Sequence, residues 1–178
     1  MRIDLKAVVV TLTNCLLYLL VVMGNTSIGS YGVHVSVTGL YLVVAILHLR
    51  FKWALPVMAF QALLLDSSMP LEAFGFHFVL MLSLLTAMTY LKSTIRRGNL
   101  LQILILCTGL TALIIVAQGI YWGSWAQLTA LSYWLRLLVD IGASALVLLM
   151  ITKWFIILQR YLIFFAGSDF ETEEEGRA

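Results

Sequence analysis

From Leu100 to Ile120 the chain runs without one charged residue. That stretch limits the fold more than any other feature, because an α-helix needs about 20 apolar residues to cross the ~30 Å hydrocarbon core of a bilayer. Only helices and closed barrels satisfy their own backbone groups in that medium. The rest of the chain has the same character. Of 178 residues, 62% are apolar and 11% charged, and the mean hydropathy is +1.00. Soluble domains average roughly 45–50% apolar and about 25% charged. This composition excludes an ordinary soluble domain and predicts an all-α polytopic membrane helix bundle.

Apolar runs recur over 7–24, 33–49, 53–65, 74–91, 100–120 and 131–152, which predicts six transmembrane helices joined by short loops. The first run exceeds a secretory h-region and no small-x-small site closes it, so it reads as a retained span. The third holds Pro56 and stops at Asp66 and a polar stretch reaching Glu72. With so few residues it is expected to be short or broken, its free backbone groups shielded by neighbouring helices. A further apolar stretch at 154–165, carrying Gln159 and Arg160, either extends the sixth helix or lies flat on the interface. Residues 1–165 thus read as one six-span domain. Residues 166–178, with Asp169, Glu171 and Glu173 to Glu175, read as an acidic, disordered cytoplasmic tail.

Orientation follows from the basic residues, since cytoplasmic loops retain Lys and Arg during insertion. Six spans with an inside start place Arg2, Lys6, Arg50, Lys52, Lys92, Arg96, Arg97, Lys153, Arg160 and Arg177 in the cytoplasm, and both termini with them. Asp66 and Glu72 then face outward. Tyr31, Tyr121, Trp122, Trp125, Tyr133 and Trp134 form an outer aromatic girdle, with Trp53, Tyr90 and Trp154 on the inner side. The net charge of +2, without a long basic run, excludes nucleic acid as an expected partner. Cys15 and Cys107 sit inside apolar runs and read as small lipid- or core-facing residues rather than a disulfide.

The usual catalytic patterns are absent: no nucleophile elbow, no helical His-Glu-x-x-His, no glycine-rich phosphate loop with lysine. A non-catalytic protein without cofactor or metal is therefore expected. His34, His48 and His77 are scattered and read first as interfacial or packing residues. Arg136 and Asp140 carry more information. Their four-residue separation places both on one helix face, with Asp140 ~13 Å below the outer end of the sixth span at about 1.5 Å per residue. Ionisable groups at that depth normally pair or face a wet cavity. One reading is an outward polar site that also recruits Asp66, Glu72, His34 or His77; the other is a structural ion pair that snorkels to the interface. Gly119 and Gly123, with Gly109, Gly142 and Ala145, read as close helix contacts. Lys92, Arg96 and Arg97 form a basic cytoplasmic loop that topology alone explains, although it also suits anionic lipid or a cytoplasmic protein.

Between Val57 and Arg97 the sequence resembles a known family. A short apolar span ends in Leu-Leu-Leu-Asp66, a polar loop carries Ser67, Ser68 and Pro70, and Gly75 opens another apolar span that ends in a basic loop. This arrangement resembles the rod shape-determining protein MreD, with Ala62 standing where the family usually has glycine. The resemblance implies a bacterial inner-membrane scaffold of the cell-elongation machinery. Its expected partner is an MreC-like single-span protein, in a complex coordinating peptidoglycan synthesis with the MreB filament. Asp66, Pro70 and Gly75 would then belong to the family's span-end turn. A chain of this size also resembles the substrate-binding S component of energy-coupling-factor vitamin transporters, where the outward set Asp66, Glu72, His77, Arg136 and Asp140 would suit a ligand. Against that, the Ala-x-x-x-Ala docking surface of those proteins has no counterpart in the first span, which contains only Ala7.

Overall fold

The computed structural model describes residues 4–67, 74–92 and 99–175. Among them are helices and no strand: α1 (Leu5–Ile28), a 3-10 turn (Gly29–Tyr31), α2 (Thr38–His48), α3 (Phe51–Ser67), α4 (Phe76–Leu91), α5 (Leu100–Trp122), the short α6 (Trp125–Leu128) and α7 (Leu131–Glu175). Three stretches are long and apolar enough to cross a membrane: Leu5–Tyr31, Leu100–Trp122 and Leu131–Phe165. Their outward faces stay apolar, with Leu12, Leu101, Leu138 and Met150 exposed. A helix that is apolar all round belongs in lipid or in a core.

Local chemistry sets the ends. Asp4 caps α1 by accepting the Lys6 N–H, and Asn99 caps α5 by accepting the Gln102 N–H. These bonds satisfy backbone donors that a helix start leaves open. Gly32, at φ 73°, turns the chain back after α1; that left-handed conformation is open to glycine at little cost.

The break in the bundle lies in the second apolar run, not the third. Residues 33–37 are non-helical, and α2 is only 11 residues long. It is nevertheless the centre of the molecule: every residue from Thr38 to Leu47 is buried, and α2 touches α1, α3, α4, α5 and α7. The third run forms a continuous 17-residue helix with Pro56 inside it. Proline removes one backbone donor and kinks a helix, but α1, α2 and α4 pack on α3 and hold it on either side of that defect.

Gly39 permits the closest crossing. A β-carbon there would collide with the Cys107 carbonyl and would stand 2.7 Å from Thr111 Oγ1, while the Gly39 N–H donates to that hydroxyl at 3.0 Å. Gly119 similarly faces Leu137 and Tyr133 of α7, whereas Gly109 and Gly142, expected as helix contacts, meet open space. α7 continues through Lys153 and Arg160, so 154–165 extends the preceding helix. The boundary at 166 falls inside α7, which stays helical to Glu175 where composition predicts a disordered tail.

Candidate functional site at the polar end of the bundle

One end of the bundle gathers the C-terminal ends of α1, α3 and α5 with residues 33–37 and the starts of α4 and α7. Two buried carboxylates organise it. Asp66, in the last turn of α3, is wholly buried. Its Oδ1 accepts the His77 N–H at 3.0 Å and its Oδ2 accepts the Phe78 N–H at 3.1 Å; His77 Nδ1 lies 3.0 Å from Oδ1. Those two amides belong to the open first turn of α4. The residue at the cap position is Gly75, in the left-handed region at φ 96° with no side chain to supply an acceptor. Asp66 therefore caps a helix other than its own, with its charge against the positive end of the α4 dipole.

Asp140 performs a similar task on non-helical chain. It is 8% exposed and its Oδ1 accepts the His34 N–H at 2.8 Å. One turn further along α7, Ser144 Oγ accepts the Ser36 N–H at 2.9 Å. From α1, Asn25 takes both polar groups of Val35, donating to its carbonyl at 2.8 Å and accepting its N–H at 2.9 Å. Irregular backbone inside a membrane is tolerated only where protein or a wet cavity supplies such partners. Here α1 and α7 supply them with three side chains.

These contacts decide the reading of Arg136 and Asp140. They share a helix face, but among the described residues no ion pair joins them: Asp140 holds the His34 amide and Arg136 is exposed. Two cavities open beside them. The larger, 360 Å³, is bordered by Asn25, His34, Thr38, Tyr41, His77 and Gln118, among others. The smaller, 230 Å³, is bordered by Arg136, Asp140 and Tyr133, and shares His34 and Gln118 with its neighbour. Of the polar residues expected from the sequence to face outward, His34, His77, Arg136 and Asp140 border these two cavities, with Asp66 behind His77. Pro70, Glu72, Arg96 and Arg97 lie outside the described residues. Lys92, from the expected basic loop, donates from Nζ to the Leu49 carbonyl at 2.8 Å and so meets an open acceptor at the end of α2. Among the described residues no group of three or more His, Cys, Asp or Glu side chains assembles to hold a metal ion.

Asn25, Ser36, Gln118 and Ser144 escaped the sequence reading. One signal was present: Val33-His34-Val35-Ser36-Val37 alternates apolar and polar residues, a period of two that argues against helix. Nothing local marks Asn25 or Ser144, whose partners are distant in the chain.

The fold and the site together define a helical membrane protein whose buried polar groups hold its helices and the irregular segment 33–37 in place. Compared with known proteins, the chain matches no protein-family model, no curated protein and no solved structure.

Proposed function

We propose that this protein is a non-catalytic scaffold of the bacterial cell-elongation machinery, an MreD-like inner-membrane protein that binds an MreC-like single-span partner. The observation that carries this reading is the Asp66 cap. The segment that resembles the family, a span ending in aspartate followed by a glycine-opened span, is a built unit in which both Asp66 oxygens and the Gly75 turn fix α4 against α3. Asp66 is thereby engaged in architecture, and partners meet the apolar membrane faces, as helix–helix association in lipid requires. In the proposed topology six helices cross the membrane, α2 incompletely, with both termini in the cytoplasm.

Native mass spectrometry of the protein, extracted gently from its own membrane, tests the proposal. A single-span protein with a periplasmic domain, retained at fixed stoichiometry, is the expected result. Recovery of an ATPase-containing module instead would sink it.

The paired cavities favour a second reading, an S-component-like substrate-binding subunit of a vitamin transporter. Replacing Arg136 and Asp140 together is a poor discriminator, because loss of Asp140 strands the His34 amide. Arg136→Leu is cleaner, since the side chain is exposed. The scaffold reading predicts unchanged partner retention and melting temperature in this variant; the transport reading predicts loss of a bound polar ligand from the purified protein.

A further inference from the structure

The larger cavity, 360 Å³, holds two polar groups that the architecture leaves unspent. We propose that it binds a small uncharged ligand carrying a hydroxyl, an alcohol or a phenol, which accepts a hydrogen bond from Tyr41 and donates one to His77. The inference goes beyond both readings of the function. The scaffold reading assigns no ligand, and the transport reading is tested at Arg136, which borders the smaller cavity.

Hydrogen-bond accounting is the first argument. Several polar side chains on the wall are engaged within the protein: Asn25 with Val35, Tyr18 with the Leu64 carbonyl and Thr26 with the Met23 carbonyl. Tyr41 and His77 differ. They are 1% and 2% exposed, yet among the described residues neither the Tyr41 hydroxyl nor His77 Nε2 has a hydrogen-bond partner. Neither atom is sealed in protein, as the Asn14 amide and Gln61 Nε2 are, so what both face is the cavity that their side chains line. Buried polar groups in native proteins are hydrogen-bonded, and these two mark where the polar group of a ligand sits.

Protonation gives the pair opposite roles. Asp66, a carboxylate at the start of α4, only accepts, and its Oδ1 lies 3.0 Å from His77 Nδ1. Nδ1 therefore carries the proton of the neutral ring and Nε2 remains an acceptor, while the Tyr41 hydroxyl is free to donate. A hydroxyl answers one of each; an anion only accepts and an ammonium only donates. Charge points the same way. Among the described residues no Asp, Glu, Lys or Arg lines this cavity, and an ion entering it would lose its water without gaining a counter-charge. Water alone matches the polar pair, but Val21, Val37 and Leu65 line the same space and favour a ligand with an apolar body.

Isothermal titration calorimetry of the full chain in maltoside micelles, against a protein-free micelle blank, tests the site with para-butylphenol and its methyl ether, para-butylanisole. Wild type is expected to bind the phenol saturably and about fivefold more tightly than the ether, which cannot donate. His77→Asn keeps a donor toward Asp66 and removes Nε2, so it should bind the two probes equally. Tyr41→Phe removes the donor that serves both probes and should bind each about fivefold less tightly. Its melting temperature should match wild type, because the hydroxyl has no partner in the protein to lose. The phenol-to-ether ratio of wild type stands apart from any folding defect in the variants. Wild-type binding of the phenol no tighter than of the ether, a preference retained in His77→Asn, or unchanged affinities in Tyr41→Phe would each overturn the proposal. Failure of the transport reading, seen as unchanged ligand retention in Arg136→Leu, leaves these outcomes untouched.

Discussion

At the scale of single residues, the two buried aspartates look alike in sequence and act alike in the structure: each lends its carboxylate to backbone amides of another segment. Asp66 serves two amides and faces an imidazole nitrogen. Asp66→Ala leaves all three without an acceptor in a buried setting, and a loss of about 2–4 kcal/mol is expected. Asp66→Asn, which keeps one acceptor oxygen, should lose about half as much. Thermal unfolding in detergent micelles checks both, and a melting temperature unchanged in Asp66→Ala would refute the capping role. Asp66 and Gly75 were legible as a pair because the chain order aspartate, loop, glycine, apolar span is visible in the sequence. The identity of what Asp66 touches was not legible, since His77 and Phe78 enter through their backbone amides, and any residue except proline offers one.

Among the elements, α1, α5 and α7 were readable from hydropathy because their length and lipid-facing surfaces leave a continuous apolar signal. α2 was not. Its run is as apolar as a span should be, yet its first five residues are held by side chains from α1 and α7 instead of by its own helix. Apolar content reports burial and says nothing about how the backbone is satisfied. Of the two outcomes expected for the third run, short or broken, α3 shows the first: it stays continuous through Pro56 and is 17 residues long. The irregular segment has its own prediction. Asn25→Leu strips Val35 of partners for both its N–H and its C=O, an expected cost of about 2–4 kcal/mol. Ser27→Ala, two residues away at an exposed hydroxyl, should fall within about 0.5 kcal/mol of wild type. Urea unfolding of the two variants in parallel separates the effects, and equal midpoints would contradict the proposed role of Asn25.

For the whole molecule, the described polar groups concentrate toward the two ends, with a smaller buried set, Thr13, Asn14, Gln61, Thr152 and Gln159, between them. Carboxylates, amides and hydroxyls hold the end with the paired cavities, where Tyr121 also stacks on Phe76 at 4.7 Å and Trp134 Nε1 donates to the Leu128 carbonyl at 2.9 Å. Cations hold the other end. Between them Gln159 Nε2 donates to Thr13 Oγ1 at 2.8 Å, tying α7 to α1 in the buried interior. The basic bias predicts the orientation that we propose: Ser124→Cys labels from outside intact cells with a membrane-impermeant maleimide, and Ser168→Cys labels only after permeabilisation. External labelling at position 168 would invert the arrangement.

The support of residues 33–37 also bears on biogenesis. The His34 amide and its acceptor Asp140 are 106 residues apart in the chain, and so, at 108, are the partners Ser36 and Ser144. At about 5–20 residues per second of synthesis, the ribosome delivers α7 roughly 5–20 s after the irregular segment has left it. During that interval the first hairpin lacks half of its hydrogen-bond partners and is unsuited to lipid. Such a segment is best sheltered beside the insertion machinery until α7 arrives, so its support waits on a helix made more than a hundred residues later.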